Sequence, residues 1–195
     1  MTTKSDWVNE KVVLKNVMLN FPNLFKATSS PQYPTQKPSF STQLIIPKGS
    51  DAEKVFESAV AKVAKEQWGD KAVKKLKEYR PNKMKFPARD GDDLDDKPWA
   101  TGKVLLTAKR SETAGRPAVV DQLKQPVLQD DDRIYSGAVV NASVVVAAQA
   151  GQNDGIRCQL IAVQFVKHGE RLSGGPTATD ADFEEIEISD DDGLI

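Results

Sequence analysis

Basic side chains are concentrated in one stretch of the chain, residues 71–89. The cations there are Lys71, Lys74, Lys75, Lys77, Arg80, Lys83, Lys85 and Arg89. Such a run most often forms a solvated face, but it also creates a positive patch that attracts a polyanion without reading its sequence. Helical lysines supply charge but no surface on which bases stack. We therefore predict an auxiliary basic surface here, formed by Lys74, Lys75 and Lys77.

Carboxylates cluster in residues 90–96 and 130–132, which raises the question of a metal site. A calcium loop of the EF-hand type needs an oxygen ligand at every second position and a glycine at the sixth. Counted from Asp90, the fifth residue is Leu94 and the sixth is Asp95, so the calcium pattern fails. Two magnesium ions held as in nucleases are an alternative in principle, although both clusters lie in loop-like sequence. We predict solvated acidic loops and no bound metal.

Groups for covalent catalysis are few. The only histidine, His168, follows the last predicted strand and has no serine or cysteine nucleophile as an evident partner. The only cysteine, Cys158, lies in a predicted core strand, where a buried thiol is expected. The sequence has no glycine-rich phosphate loop and no cysteine and histidine cluster for zinc. We predict a protein that is not an enzyme and needs no cofactor.

Residues 134–167 are predicted to form a long β-hairpin around which the fold is built. One face of its first arm carries only apolar residues, namely Ala138, Val140, Ala142, Val144, Val146 and Ala148. Turn-prone residues 151–155 separate the arms. In the second arm Ile156, Cys158, Leu160 and Ala162 share a face. Past Leu160 both faces become apolar, which a β-bulge or a second packed layer would explain.

Other elements must cover this hairpin. Alternating patterns predict strands over residues 12–20, 40–47 and 103–109, with Pro22 and Asn23 ending the first. Ser50 and Glu53 have the spacing of a capping box and open a helix with one apolar stripe, within a helical segment of residues 50–80.

The size of the chain favours one main domain. A chain of 195 residues with 39% hydrophobic residues can bury one substantial core, which we assign to residues 1–171. No apolar run approaches the length of a membrane span, so no membrane partner is expected.

Charge is distributed unevenly along the chain. Residues 180–195 contain eight acidic and no basic side chains, so the preceding 179 residues carry 27 basic and 20 acidic side chains. A segment of this composition cannot form a packed core, which predicts a flexible acidic tail over residues 172–195. Its apolar and acidic side chains are candidates for partner binding, namely Phe183, Asp190, Asp191, Asp192, Leu194 and Ile195.

Cations and aromatic rings together are what a protein needs to bind a single-stranded nucleic acid. Lys103, Lys109, Arg110 and Arg116 lie on or beside a predicted sheet edge. Tyr33, Phe40, Trp99 and Tyr135 lie in loops or at strand ends, where their rings are candidates for base stacking. A role in the core is about as frequent for any one such ring.

Six short segments follow one another along residues 12–175. They are LKNVMLNFPNLF, QLIIPKG, RDGDD, GRPAVVD, IYSGAVVNASV and VQFVKHGERLSGG. In this order and spacing they resemble a family of bacteriophage single-stranded DNA-binding proteins with an OB-fold-like barrel. The predicted main helix lies between the second and third predicted strands, whereas the ordinary OB-fold places its helix between the third and fourth. Either a strand within residues 112–136 is missing from the prediction, or the helices are an insertion on the barrel.

The resemblance implies a mainly β fold, an OB-fold-like barrel of about five strands with an inserted helical segment and a disordered acidic C-terminal tail. It also implies binding of single-stranded DNA without sequence preference, in phage DNA replication or recombination and in the cytoplasm of an infected bacterial host. The acidic tails of such proteins commonly compete with DNA and recruit replication or recombination proteins. Double-stranded DNA and a homodimer are further partners that the sequence leaves open. A scaffold or DNA mimic that acts through its acidic tail is the alternative.

Overall fold

The computed structural model describes residues 7–29 and 37–172. In these residues the elements, in chain order, are β1 (Trp7–Thr28), β2 (Ser39–Pro47), α1 (Asp51–Trp68), α2 (Ala72–Tyr79), β3 (Ala88–Asp90), β4 (Lys103–Ser111), β5 (Ala118–Val120), β6 (Val139–Gln149) and β7 (Gly155–Lys167). Tyr33 and the predicted tail beyond residue 172 lie outside the described residues. No helix of the described part is long and apolar enough to cross a membrane.

Five of the strands close into a barrel. The strands β4, β2, β1, β6 and β7 follow one another as antiparallel neighbours, and a parallel contact between β4 and β7 closes the ring at the pair Lys109 and Gln159. Short strands β3 and β5 add to the free edges of β4 and β7. The mainly β, OB-fold-like barrel that the sequence predicts is therefore confirmed.

The central hairpin consists of β6 and β7, and its predicted apolar face is buried. A β-bulge at Ile161 interrupts it, because Val144 pairs with Leu160 whereas the adjacent Ser143 pairs with Ala162. The extra residue moves Ala162 off the buried face on which the sequence had placed it. Val163 takes the buried position instead.

Strand β1 is longer than predicted. Pro22 and Asn23 do not end it, because the strand passes through three register shifts, within residues 14–17, 20–23 and 23–28, where residues need not pair. Asn16 and Phe21 adopt positive φ angles of 54° and 46° there. The strand therefore bends and contributes to the barrel over its whole length.

The helical segment lies between the second and third barrel strands, as predicted. The Ser50 hydroxyl accepts a hydrogen bond from the Glu53 amide, and the Glu53 carboxylate accepts one from the Gly49 amide at 2.5 Å. The apolar face of α1 packs in the main core, where Phe56 meets Phe86 edge to face. Strands β3 and β5 are too short to have been predicted from periodicity, and β5 lies within the interval where a strand was suspected.

The chain leaves the helices through the gap where β4 and β7 diverge. We call this gap the seam and residues 83–89 the seam segment, because they bridge the two strands by hydrogen bonds. The Lys85 carbonyl accepts a hydrogen bond from Ile156 of β7 at 2.8 Å, and the Pro87 carbonyl accepts one from Thr107 of β4 at 2.9 Å. The inserted segment thus completes the barrel wall.

Candidate nucleic-acid interface

A groove of about 730 Å³ runs along the outside of this seam. Its walls are formed by β2, β4, the seam segment and the start of β7, with Trp7 of β1 at its edge. The charged residues among the described ones that line it are Lys83, Arg89, Lys109, Arg110 and Arg157, and all are basic. An open groove lined by cations alone has the electrostatic form of an anion-binding surface.

Two of the predicted DNA contacts lie in this groove, Lys109 and Arg110. Lys109 is exposed on the outer surface at the pair that closes the barrel. The Arg110 guanidinium donates to the Ala114 and Gly115 carbonyls, each at 2.7 Å. Arg110 therefore holds the loop that follows β4 and brings positive charge to the groove from a fixed position.

Arg157 contributes a second fixed guanidinium. It donates to the Asn153 carbonyl at 2.9 Å and to the Ile156 carbonyl at 3.0 Å, and burial lowers its pKa from the ordinary value. Arginine nevertheless stays protonated in proteins. A Cβ on Gly155 would lie 2.6 Å from Arg157 Nη1 and from the Lys85 carbonyl oxygen, so glycine is required for this close approach.

Asp154, in the β6–β7 turn, ties the helical segment to the groove. Its carboxylate accepts hydrogen bonds from Lys85 Nζ at 2.8 Å, from Lys75 Nζ at 3.1 Å and from the buried Tyr79 hydroxyl. These contacts, chiefly that of Lys85, hold the pKa of Asp154 well below its usual range. We call these four residues the turn anchor.

The turn anchor changes the interpretation of the predicted auxiliary surface. Lys75 forms an ion pair with Asp154, because the β6–β7 turn lies against α2. Lys74 and Lys77 are exposed on the same helix. Of the three lysines, these two are the ones that present their charge to solvent without an ion-pair partner among the described residues.

The remaining predicted DNA contacts are dispersed. Lys103 lies at the opposite end of β4 and donates to the carbonyl of Trp99, a residue that is 37% exposed. Arg116 is exposed, with its guanidinium 5.6 Å from the centroid of the Phe25 ring. The structure does not bring these side chains into the groove.

Two of the predicted stacking rings make contacts within the protein. Phe40 is only 7% exposed, so its ring packs in the core and presents no free face. The Tyr135 hydroxyl bonds the Gly169 carbonyl at 2.9 Å, and the Arg171 guanidinium lies 4.3 Å from the centroid of its ring. Tyr135 therefore anchors the segment that follows β7.

The acidic clusters have structural partners. Asp90 and Asp92 both bind Lys48 Nζ at 2.5 Å, and Asp92 also accepts the Gly102 amide at 2.6 Å, which is the main reason that its pKa is lowered. Asp131 and Asp121 both pair with Arg133. Across residues 7–29 and 37–172, no three His, Cys, Asp or Glu side chains are grouped so that they could hold a metal ion. Burial raises the pKa of the Cys158 thiol to about 12, as expected for a structural cysteine.

Sequence reasoning did not assign Trp7, Lys83, Arg89 or Arg157 to the main site. The last three come together only through the contacts of the seam segment with β4 and β7, which are distant in sequence. The period-two pattern of β7 did place Arg157 on its outer face. Extending the first strand back to Trp7 would have placed that ring on the outer face of β1.

Comparisons with known proteins agree with this architecture. The model of a family described as "Enterobacter phage Enc34, ssDNA-binding protein" matches residues 10–194. A putative protein p50 of Acyrthosiphon pisum secondary endosymbiont phage 1 is 30% identical over 187 residues, which is 95% of this chain and 98% of that protein.

Solved structures show the same fold. The single-stranded DNA-binding protein from bacteriophage Enc34 in complex with ssDNA matches with a TM-score of 0.65 and 20% identity, over 84% of this chain and 89% of that one. A second structure of the single-stranded DNA-binding protein from bacteriophage Enc34 matches with a TM-score of 0.61 and 20% identity, over 89% of this chain and 90% of that one. The match of the family model over nearly the whole sequence shows that the chain belongs to the family of the Enterobacter phage Enc34 ssDNA-binding protein.

Proposed function

We propose that this protein binds single-stranded DNA with little sequence preference, in the groove along the barrel seam, and that it does so without enzymatic activity. The observation that carries the proposal is the set of five basic side chains with no acidic one among the described lining residues. Oligonucleotide-binding barrels use the outer face of their second and third strands and the loops after the first and fourth. Here these are β2, β4, the connection containing Tyr33 and the β6–β7 turn. Of these four, β2, β4 and the β6–β7 turn border the groove or adjoin its lining residues.

The groove also supports the choice of a single strand. Its floor contains the nearly buried Phe86 and Ile156, and Met84 at its side is 59% exposed. Unpaired bases expose apolar faces that such a surface can cover, whereas the cations follow the phosphates. Apolar contacts with base faces and ionic contacts with phosphates do not depend on base identity, which supports binding of any sequence.

The experiment is a titration of labelled oligothymidylate and of a duplex, followed by fluorescence anisotropy at several salt concentrations. The logarithm of the affinity for the single strand should fall linearly with that of salt, with a slope of about −0.7 per phosphate neutralised. Lys109→Glu should weaken binding and reduce the slope, whereas Lys65→Glu on α1, outside the groove, should behave like the wild type. An affinity that ignores salt, or equal effects of the two changes, would contradict the proposal.

The wider role is inferred from the similar phage proteins and from the distribution of charge along the chain. We infer that the protein acts in phage DNA replication or recombination, in the cytoplasm of the infected bacterium. Its domain of residues 1–171 would bind DNA, and its tail of residues 172–195 would compete with DNA and recruit partner proteins. The support for the tail is the excess of acids in residues 180–195 over a basic body. Lys74 and Lys77 would add an auxiliary basic surface, and duplex DNA and a second copy of the chain are further candidate partners.

A further inference from the structure

The outer surface of the barrel continues beyond the groove. Cross-strand pairing places Lys109 of β4 beside Gln159 of β7, Gln159 beside Val145 of β6, and Val145 beside Lys11 of β1. These side chains form one row on the outside of four adjacent strands. Since strands lie about 4.8 Å apart, the row extends about 14 Å from the groove to Lys11.

The outer face of β1 at the end of this row is exposed and basic. We call Trp7, Asn9, Lys11, Val13 and Lys15 the outer belt, because alternation along the strand places all five on that face and all five are exposed. Lys11 and Lys15 lie four residues apart, about 13 Å along the strand. Neither has an ion-pair partner among the described residues. Val13 between them is 48% exposed.

Acidic side chains are absent from this whole surface within the described strands. The outer positions between the belt and the groove are neutral on β6, and on β7 they are Arg157 and Gln159. The one acidic residue in the same stretch of β1, Glu10, lies on the opposite face and binds Lys62 of α1 at 2.7 Å. Lysines elsewhere, such as Lys48, Lys75 and Lys85, are paired with carboxylates. The belt therefore keeps its positive charge available.

We propose that a single DNA strand longer than the groove continues over β7 and β6 to the outer belt, where Lys11 and Lys15 bind its phosphates. This inference rests on the proposed function, and it adds a second contact surface on the side of the barrel formed by β1, β6 and β7. Trp7 borders the groove and begins the belt, so it marks the junction of the two surfaces. Val13 and Val145 offer apolar area to the bases between the phosphate contacts.

The test compares a short and a long oligothymidylate, of about 6 and about 30 nucleotides, because a barrel of this type covers about 4 to 16 nucleotides. The double variant Lys11→Gln, Lys15→Gln removes two charges and keeps polar, flexible side chains. It should bind the long oligonucleotide about tenfold more weakly at low salt, with a salt slope shallower by about 1.4, and bind the short one as the wild type does. The variant Lys54→Gln, Lys65→Gln on α1 has the same change in charge and is the matched control.

The outcomes separate the belt from the groove. Unchanged affinity and slope for the long oligonucleotide in the double variant would overturn the extension while leaving the proposed function intact. An equal loss on the short and the long oligonucleotide would also overturn it, because the lysines would then belong to the primary site. A wild type that binds neither oligonucleotide would instead refute the proposed function. Thermal melting of every variant verifies that the barrel is folded.

Discussion

Trp7 lies at the edge of the groove with 39% of its surface exposed, whereas the described rings proposed from sequence lie elsewhere or are buried. A stacking ring must border the path of the phosphates, because base and backbone of one strand are covalently joined. Trp7 meets this condition and Trp99 does not line the groove. The two tryptophans therefore form a natural pair for comparison.

We expect Trp7→Ala to cost about 1 to 3 kcal/mol in binding to single-stranded DNA, and Trp7→Phe to lose much less, because phenylalanine keeps an aromatic face. Titrations of labelled oligothymidylate measure the difference, with melting curves as a check on folding. Trp99→Ala should leave affinity unchanged. If Trp99→Ala weakens binding and Trp7→Ala does not, the stacking site lies at the other end of β4.

At the scale of elements, the turn anchor links the β6–β7 turn to the basic wall of the groove. Asp154 connects the β6–β7 turn to α2 and, through Lys85, to the seam segment that carries Lys83 and Arg89. Its depressed pKa means that folding is favoured by the ionised carboxylate. This contribution is complete above the ordinary carboxyl pKa of about 3.9 and is lost as the pH falls below it toward the folded value.

Asp154→Asn should therefore lower the free energy of unfolding by about 1 to 3 kcal/mol at neutral pH, because a buried tyrosine hydroxyl and two ammonium groups lose their charged acceptor. Denaturant unfolding from pH 7 down to pH 3 measures the difference in the free energy of unfolding between wild type and variant. This difference should be constant above about pH 5 and should decrease below about pH 4. Asp95→Asn, in an exposed loop, is the control and should show little difference. If the difference in the free energy of unfolding is the same at pH 3 and pH 7, the charge of Asp154 contributes nothing to stability.

Elements were predictable from sequence where their pattern is local. Strands β2, β4 and the β6–β7 hairpin follow a period of two, and α1 has both its cap and its apolar stripe, so each was located within a few residues. The lining of the candidate groove was predicted only in part, since Lys109 and Arg110 are on a recognisable strand whereas Lys83 and Arg89 reach the groove through pairing across the seam. The local sequence around Phe40 does not show that its ring is buried, because the burial depends on the barrel that closes around the ring.

The whole molecule combines a basic body with an acidic end. The proposed acidic tail would compete with DNA for the basic groove at a high effective concentration, which short linkers raise to millimolar. Deletion of residues 180–195 should therefore tighten binding to single strands several-fold at low salt and have less effect at high salt, where charges are screened. Titrations of the full and shortened proteins at two salt concentrations measure the change.

Two further variants separate the roles of the tail. Removal of only Leu194 and Ile195 should abolish capture of a replication or recombination partner without altering DNA affinity, because the acids remain. Replacement of the acids of residues 180–195 by asparagine and glutamine, at constant length, should reproduce the tighter DNA binding. Weaker binding of the shortened protein at low salt would reject competition and favour a protein that acts through its tail.

The barrel is closed by one parallel pair, between Lys109 and Gln159, and beside that pair the seam segment completes the wall by pairing with β4 and accepting a hydrogen bond from β7. Among the neighbouring strands of the barrel, β4 and β7 make the fewest contacts, so the barrel wall is weakest between them. In the proposed complex a DNA strand would lie across this link and contact both β4 and β7, which would favour the closed barrel. Any ligand that binds the folded state alone stabilises it in proportion to the logarithm of its concentration. Binding of DNA in the proposed groove should accordingly stabilise the barrel against unfolding along the line where β4 and β7 meet.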